Sequence, residues 1–304
     1  MPESLFEVGV LAEHSRKAEW GPGMVVKVRP PYVWVYFRDV PGRVARQFNE
    51  ALLVRSSSQS DSILEHLPAF VEQDGVHLLP SERYTLREAV EVLYACAPEG
   101  FGENGTTKVQ KDRQGRRAAH AEYTRTLGEG QAEQLLIEGR IGELSARAVD
   151  VVTRSRTLSA ADLAALREGL RDEEAAAAFF RGVLPFIAAE PTEELFQAHV
   201  LGTAAARAAA TGGSPWPTLT LLPFLARPDR HMLLQPTVTC PAAQRLGFDL
   251  SYRVEPSWPT YEALCLLGRV YLEGLASVGA SDLIDVHFFL ATLVARPAVQ
   301  RKGD

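Results

Sequence analysis

The chain has 304 residues, of which 46% are hydrophobic and 23% are charged, and its net charge is −6. This composition is typical of a folded globular protein and excludes a wholly disordered one, while the length predicts two domains. The acidic balance argues against a protein that coats nucleic acid with its whole surface, although one face of an acidic protein can still be basic.

The cysteines and the apolar segments limit the class of protein further. Cys96, Cys240 and Cys265 are scattered and form no Cys-x-x-Cys pair. The sequence therefore predicts neither a disulfide framework nor a zinc site, and it favours a reducing compartment. Because it contains no apolar run of 18 residues and no signal-peptide pattern, we expect a cytoplasmic protein that does not contact a membrane.

Residues 1–55 predict a small all-β domain. Residues 24–28 and 32–37 are rich in β-branched and aromatic side chains and are separated by Pro30-Pro31, which predicts a hairpin. Residues 44–48 predict a third short strand. Several short strands in so short a segment indicate a closed or nearly closed barrel of the SH3 or Tudor type.

The same segment carries a family resemblance. Residues 20–28, Trp-Gly-Pro-Gly-Met-Val-Val-Lys-Val, followed by residues 33–39, Val-Trp-Val-Tyr-Phe-Arg-Asp, resemble a small Tudor-like domain of bacteria. That domain is appended to UvrD-type helicases and is related to the RNA-polymerase-interacting module of CarD-type regulators. The resemblance implies docking to RNA polymerase or to nucleic acid, and no chemistry. The chain departs from the pattern at residues 40–42, Val-Pro-Gly, so we expect a reshaped loop there.

Surface cations of this domain are the predicted contacts with phosphate or with an acidic partner surface. Two interpretations of Trp34 and Phe37 stay open, packing in the core, which is favoured, and contact with a partner. Trp20 is a predicted contact residue. The predicted contact residues are Arg16, Lys17, Trp20, Lys27, Arg29 and Arg38.

The remainder of the chain predicts a linker and a helical domain, so the expected fold class is α+β multidomain. Residues 56–80 predict a polar linker with a short helix at 61–72, and residues 81–296 predict an α-helical domain. Residues 297–304 predict a flexible tail. Helices are predicted at residues 86–94, 117–127, 130–156, 163–170, 172–189, 193–210, 218–226, 236–246, 261–278 and 281–294.

The segment 100–115 is rich in glycine and then in cations, but it lacks the Gly-Lys-Ser/Thr of a phosphate loop. Two interpretations stay open: a mobile basic loop in solvent, or a loop that reaches toward a nucleic-acid backbone. The cations concerned are Lys108, Lys111, Arg113, Arg116 and Arg117. Further on, Arg140, Arg147 and Arg154 recur every seven residues and share one helix face, which is either solvated or in contact with phosphate.

A second candidate site lies in the apolar, proline-rich stretch 216–261. Asp229 and His231 are the candidate catalytic residues, in a pocket predicted to be lined by Arg227, Arg230, Trp258 and Tyr261. In the alternative interpretation, His231 is a hydrogen-bonded core residue, and Arg227 and Asp229 stabilise helix ends. Neither His-Glu-x-x-His nor Gly-x-Ser-x-Gly occurs in the sequence.

Two further resemblances concern the helical part. It resembles an uncharacterised bacterial domain without an established activity, and residues 224–231, 236–239 and 258–261 carry most of the pattern. The order of its parts is distantly similar to that of helix-hairpin-helix DNA glycosylases. Residues 234–238, Leu-Gln-Pro-Thr-Val, contain neither the Asp nor a Lys that such chemistry needs, and the Gly-Val-Gly hairpin is missing, so at most the fold is shared.

These observations predict a non-enzymatic protein of DNA repair, transcription or defence that binds nucleic acid, RNA polymerase or both. The alternative is an enzyme that acts on nucleic acid with a glycosylase-like helical domain and a pocket around Arg227 to His231. No cofactor and no metal ion are expected.

Overall fold

The structure is a computed structural model and describes residues 4–102, 104–207 and 213–295. It confirms an α+β fold, with antiparallel strands first and helices after them. The chain separates into two compact units, one formed by Met1–Val92 with Pro241–Leu250 and the other by Leu93–Cys240 with Ser251–Asp304. The predicted division at residues 55, 80 and 296 stays a prediction.

Five strands form an antiparallel sheet in the order β4-β3-β2-β1-β5. The strands are β1 (Leu11–His14), β2 (Gly23–Arg29), β3 (Tyr32–Phe37), β4 (Arg46–Asn49) and β5 (Leu53–Arg55). The predicted hairpin and third strand are confirmed, because β2 pairs with β3 and β3 with β4. A 3-10 turn, Glu50–Leu52, joins β4 to β5. Within the described residues, no hydrogen-bonded ladder pairs β4 with β5. The sheet is therefore open, and the predicted closed barrel is wrong.

One face of this sheet is the core of the first unit. Val25, Val33, Val35 and Phe37 are buried on it and pack with Leu53. Because side chains alternate along a strand, Tyr32, Trp34 and Tyr36 point to the opposite face. The core position predicted for Phe37 is confirmed. Trp34 is half-buried and packs against a second core cluster, which lies on the opposite face and includes Tyr36, Leu64 and Leu79.

The predicted helix at 61–72 is wrong. Only a 3-10 turn, Leu64–His66, forms there, and it is followed by a second small sheet of β6 (Val71–Gln73) and β7 (Val76–Leu78). The hairpin turn consists of Asp74 and Gly75, with φ angles of 51° and 78°. Asp-Gly is a preferred sequence for a two-residue turn with positive φ at both positions, and it is the signal for this hairpin.

The described helices are mostly those that the hydrophobic spacing predicts. Thr107, Ser159, Asp172 and Thr192 cap helices by accepting a hydrogen bond from a backbone N–H, as residues of their type commonly do. The helices are α1 (Leu86–Cys96), α2 (Lys108–Leu127), α3 (Gln131–Ile137), α4 (Ile141–Ser155), α5 (Ala160–Gly169), α6 (Glu173–Ala188), α7 (Glu193–Ala206), α8 (Trp216–Ala226), α9 (Pro236–Arg245), α10 (Trp258–Leu275) and α11 (Leu283–Ala295).

Two predicted boundaries are wrong. The helix expected at 117–127 begins at Lys108. Thr107 and Gln110 form a reciprocal capping box, which starts the helix there. The helix expected at 130–156 is divided into α3 and α4, because Gly139 adopts a φ of 70° that ends the first helix. The tail predicted to be flexible, 297–304, lies outside the described residues.

The second unit is built around helices that are buried on nearly all sides. Every residue of α8 except Pro217 is buried, and so are most residues of α11, which explains why these helices show no polar face. Helices α6 and α7 approach each other through Gly182 and Gly202. A Cβ at Gly182 would lie 2.7 Å from the carbonyl oxygen of Ala198, and one at Gly202 would lie 2.6 Å from that of Ala178.

Among the described helices, none is by itself long and apolar enough to cross a membrane. The consecutive segments Trp258–Val278 and Leu283–Ala295 meet the length and composition criteria together, with a bend of 89° between them.

Candidate functional site

A patch of alternating cations and aromatic rings lies on the face of the sheet opposite the core. In the ladder between β2 and β3, Lys27 is paired with Trp34 and Arg29 with Tyr32. Directly paired residues of an antiparallel ladder project to the same face. The Nζ atom of Lys27 accordingly lies 5.6 Å from the centroid of the Trp34 ring. We call these four residues, with Gln47 and Asn49 of β4, the cation–aromatic patch.

The patch is accessible because it occupies the uncovered end of its face. Arg29, Gln47 and Asn49 are exposed, and Tyr32 is 44% exposed. Trp34 is half-buried, because the His77 ring lies 6.4 Å from it, and Lys27 forms an ion pair of 3.3 Å with Glu72. The accessible end therefore offers the Tyr32 ring and the Arg29 cation fully, and Trp34 and Lys27 in part.

The other end of this face is covered. Tyr36 is buried, its hydroxyl donates to the carbonyl oxygen of Gly42 at 2.9 Å, and Phe70 packs against its ring at 5.4 Å. The guanidinium of Arg83 stacks over the same ring at 5.7 Å, and burial raises the pKa of the Tyr36 phenol. Tyr36 is therefore a structural residue, Trp34 is partly covered by the same core cluster, and the Tyr32 end of the face is the accessible one.

The other contact residues predicted within residues 1–55 lie outside the cation–aromatic patch. Arg16 and Lys17 are exposed on the loop after β1, and Lys17 is 3.5 Å from Glu19. Trp20 packs on the core side of the sheet, where Phe37 and Phe48 contact its ring and Arg46 stacks over it at 5.1 Å. The predicted role of Trp20 as a partner contact is thus replaced by a role in the core.

Arg38 is also engaged within the unit. Its guanidinium donates to Asp61 at 2.7 Å and to Asp39 at 3.0 Å, and the hydrogen bond with Asp39 and the nearby carboxylates raise its pKa. Two carboxylates therefore offset the charge that was predicted to meet a partner.

The loop predicted at residues 100–115 is wrong for residues 108–115. These residues form the first half of α2, in which Lys108 and Lys111 are exposed whereas Arg113 and Arg116 are buried. Arg117 is half-buried and pairs with Asp282 and Asp285. Of the five predicted cations, Lys108 and Lys111 are thus the two that are exposed and can contact a nucleic-acid backbone.

Arg113 belongs to a buried polar network between α2 and the start of α11. Its Nε donates to Asp285 at 2.7 Å, its Nη1 donates to the carbonyl oxygen of Gly102 at 3.1 Å, and Phe288 lies under its guanidinium. The backbone N–H and the hydroxyl of Ser281 both donate to Asp285 at 2.8 Å. These hydrogen bonds and both arginines hold the pKa of Asp285 below its usual value despite its burial.

The arginine stripe of residues 140, 147 and 154 is an ion-paired surface. Arg140 and Arg147 both donate to Glu143 at 2.5 Å, and Arg154 donates to Asp150 at 2.7 Å. Local acids therefore offset its charge, which favours the solvated interpretation of the stripe.

The residues of the predicted pocket between Arg227 and His231 lie in two different environments. Asp229 is exposed and accepts two hydrogen bonds from Arg227, at 2.9 and 2.7 Å, while Arg230 is 3.1 Å from Glu190. His231 is completely buried. The two candidate catalytic groups therefore do not face a common opening.

Instead, His231 is part of an aromatic core. Its Nδ1 shares a hydrogen bond of 2.6 Å with the hydroxyl of Tyr261, which is itself buried, and Phe186 packs against both rings. Burial and the neighbouring cation Arg230 lower the pKa of His231 to about 3. The imidazole is therefore neutral near pH 7, and the core interpretation of His231 is confirmed. Trp258 is half-buried, with its ring 6.0 Å from that of Tyr261.

No group of three His, Cys, Asp or Glu side chains within residues 4–102, 104–207 and 213–295 is arranged to hold a metal ion. Comparison of the chain with protein-family models, with curated proteins and with solved structures found no match. The resemblances to a Tudor-like module and to a bacterial helical domain therefore stay hypotheses.

Sequence reasoning missed the aromatic half of the patch. The sequence favours core packing for Trp34 and makes no prediction for Tyr32. The available signal was the alternation of Tyr32, Trp34 and Tyr36 with Val33 and Val35, because it separates two faces of one strand. The alternation does not say which of the aromatic rings is covered by another part of the chain.

Proposed function

We propose that this chain is a nucleic-acid-binding protein of DNA transactions or transcription, and that the cation–aromatic patch contacts the nucleic acid. The observation that carries the proposal is the pairing of Lys27 with Trp34 and of Arg29 with Tyr32 on one accessible face. Aromatic rings stack on bases and cations attract the backbone, which together is a common basis of nucleic-acid binding.

The charge of this part of the chain supports the proposal. Residues 1–55 contain eight Lys and Arg against six Asp and Glu, whereas the whole chain has a net charge of −6. The basic excess is small, so we expect a localised interface with a few phosphates.

RNA polymerase is the second candidate partner, and one structural observation favours it. The five strands in the order β4-β3-β2-β1-β5, with a 3-10 turn between β4 and β5, form the kind of small antiparallel β-domain that a Tudor-like module requires. This order supports the resemblance of residues 20–39 to a Tudor-like docking module. A polymerase contact at the patch would use the same cations against an acidic protein surface.

Direct binding measurements test the proposal. We expect the full chain to bind labelled DNA or RNA, and Tyr32→Ala to weaken binding by about 1–3 kcal/mol, the value of one stacked base. Tyr252→Ala is the matched control, because Tyr252 is a tyrosine of similar exposure, 37%, outside the sheet. Arg29→Gln should also weaken binding, without a change in unfolding temperature.

The outcomes separate the candidates. Binding to RNA polymerase but to no nucleic acid, with the same loss in Tyr32→Ala, would select the second partner. If neither partner binds, or if Tyr32→Ala and Tyr252→Ala behave alike, the proposal fails. Nuclease, glycosylase or deaminase turnover that disappears in Asp229→Asn with an unchanged fold would support the enzyme alternative instead.

A further inference from the structure

Arg116 is a buried arginine that the second unit leaves largely without partners. It lies in the middle of α2 and is 5% exposed. Its Nη2 donates to the Oε1 atom of Gln235 at 3.5 Å, which is a long hydrogen bond. Its Nε and Nη1 atoms have no partner among the described residues. A guanidinium has five N–H donors, so most of its donor capacity is unused.

This situation contrasts with that of Arg113, one turn earlier on the same helix. Arg113 is equally buried, but Asp285 and the carbonyl oxygen of Gly102 engage it. For Arg116 the nearby acid is Asp112, which interacts with it electrostatically without a hydrogen bond, and burial lowers the pKa of Arg116 to about 10. The side chain is still a cation at pH 7. Buried charges in proteins are normally paired, because an unpaired one costs several kcal/mol.

A second buried polar side chain without hydrogen-bond partners among the described residues belongs to α11, which packs against α2. His287 of α11 is completely buried, and neither of its ring nitrogens has a hydrogen-bond partner among the described residues. Burial, together with the charge of Arg116, lowers the pKa of His287 well below its usual value. The imidazole is therefore neutral at pH 7 and carries one N–H donor. Arg116 and His287 together hold four polar atoms whose hydrogen-bonding capacity is unused.

Gln235, the partner of Arg116, directly precedes the first turn of α9. This helix begins at Pro236, directly after Gln235, and the N-terminal end of a helix carries a partial positive charge. Gln235 is half-buried, and its Nε2 donates to the carbonyl oxygen of Thr157 at 3.1 Å. Its amide is thus the polar group that now occupies the position facing Arg116.

We propose that Arg116 and His287 form an oxyanion-binding site, which takes the phosphate or carboxylate group of a small ligand. The guanidinium supplies the charge and two unused donor nitrogens, and His287 supplies one further N–H. Gln235 closes the site, and its weak contact with Arg116 is exchanged for a stronger, charge-assisted one when the anion enters. This inference is independent of the proposed function, because it uses no residue of the cation–aromatic patch.

Inorganic phosphate is the first probe. In equilibrium dialysis the full chain should bind one phosphate with saturation, and its unfolding temperature should rise with phosphate at constant ionic strength, since a ligand of the native state stabilises it. Arg116→Met should weaken phosphate binding at least about tenfold, the loss expected for a charge-assisted hydrogen bond. Arg125→Met is the control, because Arg125 is an exposed arginine of the same helix, paired with Glu122.

Further arms make the result decisive. Acetate in place of phosphate shows whether a carboxylate also binds, and Arg116→Lys keeps the cation if Arg116→Met does not fold. Gln235→Ala should retain phosphate binding, because the amide only closes the site. Equal phosphate effects on the native chain and on Arg116→Met would be a general salt effect and would overturn the proposal. So would the absence of saturable binding to both phosphate and acetate.

Discussion

Arg113 and Asp285 form an ion pair that is shielded from water at both partners. Replacing Asp285 by Asn removes the charge while keeping the shape, and it leaves Arg113 buried without a counter-charge. We expect Asp285→Asn to lower the free energy of unfolding by about 3–5 kcal/mol, measured by urea denaturation. Asp150→Asn is the control, because Asp150 and its partner Arg154 are half-exposed, and it should cost less than about 1 kcal/mol. If Asp285→Asn and Asp150→Asn lower the free energy of unfolding by similar amounts, burial is not what makes the Arg113–Asp285 ion pair important for stability.

His199 gives the second prediction at this scale. It is completely buried, its Nε2 donates to the carbonyl oxygen of Leu219 at 2.7 Å, and burial lowers its pKa to about 4. An unfolded histidine has a pKa of about 6.5, so below that pH the unfolded state binds a proton that the native state refuses. The stabilising contribution is therefore complete above about pH 6.5 and is lost as the pH falls toward about 4.

The expected result is a free energy of unfolding that falls between pH 7 and pH 5. His199 should contribute about 1.4 kcal/mol per pH unit below its unfolded pKa. His199→Gln keeps a side-chain N–H for Leu219 and has no titration, so its stability should depend less on pH than that of the native chain. A slope that His199→Gln does not reduce would contradict this assignment.

The role of individual residues was only partly predictable from the sequence. His231 lies in an apolar stretch, and burial with a hydrogen bond is the usual outcome for such a histidine. The burial of Arg113 was not predictable, because its partner Asp285 lies 172 residues further along the chain. Local composition suggested a basic loop, and only the tertiary fold supplies the acid that allows a cation to be buried.

At the scale of elements, the contact between α6 and α7 depends on two glycines. Gly182 and Gly202 each bring a helix backbone close to the partner helix, with 2.7 and 2.6 Å between an added Cβ and a carbonyl oxygen. We expect Gly182→Ala and Gly202→Ala each to lower the free energy of unfolding by about 1–3 kcal/mol, because the helices must separate to admit the methyl group.

Gly142 in α4 is the matched control for these variants. An added Cβ there has no neighbour within 4 Å, and the residue is exposed. Gly142→Ala should therefore stabilise the chain by about 0.5–1 kcal/mol through helix propensity alone. If all three alanine variants stabilise the chain, the helices are not in the close contact that the structure gives.

The elements themselves were predictable where the local pattern was strong. The strands β2 and β3 follow from β-branched and aromatic residues, and α1 follows from apolar residues at positions 86, 89, 90 and 93. The signals that were overlooked are short ones: Asp74-Gly75 for a hairpin, Thr107 with Gln110 for a helix start, and Gly139 for a helix end. Each of these signals depends on one or two residues, so it cannot be found from the periodicity of apolar residues.

At the scale of the whole molecule, the charge balance predicts how binding should respond to salt. The chain is acidic overall, and the patch offers the two cations Lys27 and Arg29. For a single strand, the slope of log affinity against log salt is about −0.7 for each phosphate contacted, so we expect roughly −1.4. Titrations at several salt concentrations measure it, and Arg29→Gln should make the slope shallower by about 0.7. A slope steeper than about −4 would require a larger basic surface than the patch.

The patch as a site was less predictable than its residues. Lys27 and Arg29 were candidates because surface cations commonly contact phosphate. Their alignment with Trp34 and Tyr32 depends on the strand register, and the accessible end depends on which part of the face Phe70 and Arg83 cover. Both are properties of the folded chain rather than of any local segment.

The 172-residue separation of Arg113 and Asp285 has a consequence for the time course of synthesis. At about 5–20 residues per second, the carboxylate is added roughly 10–35 s after the guanidinium. During that interval α2 exists on the nascent chain with Arg113 and Arg117 still lacking the acids that pair with them in the native state. The second unit therefore completes its buried ion-pair network only when α11 has been made.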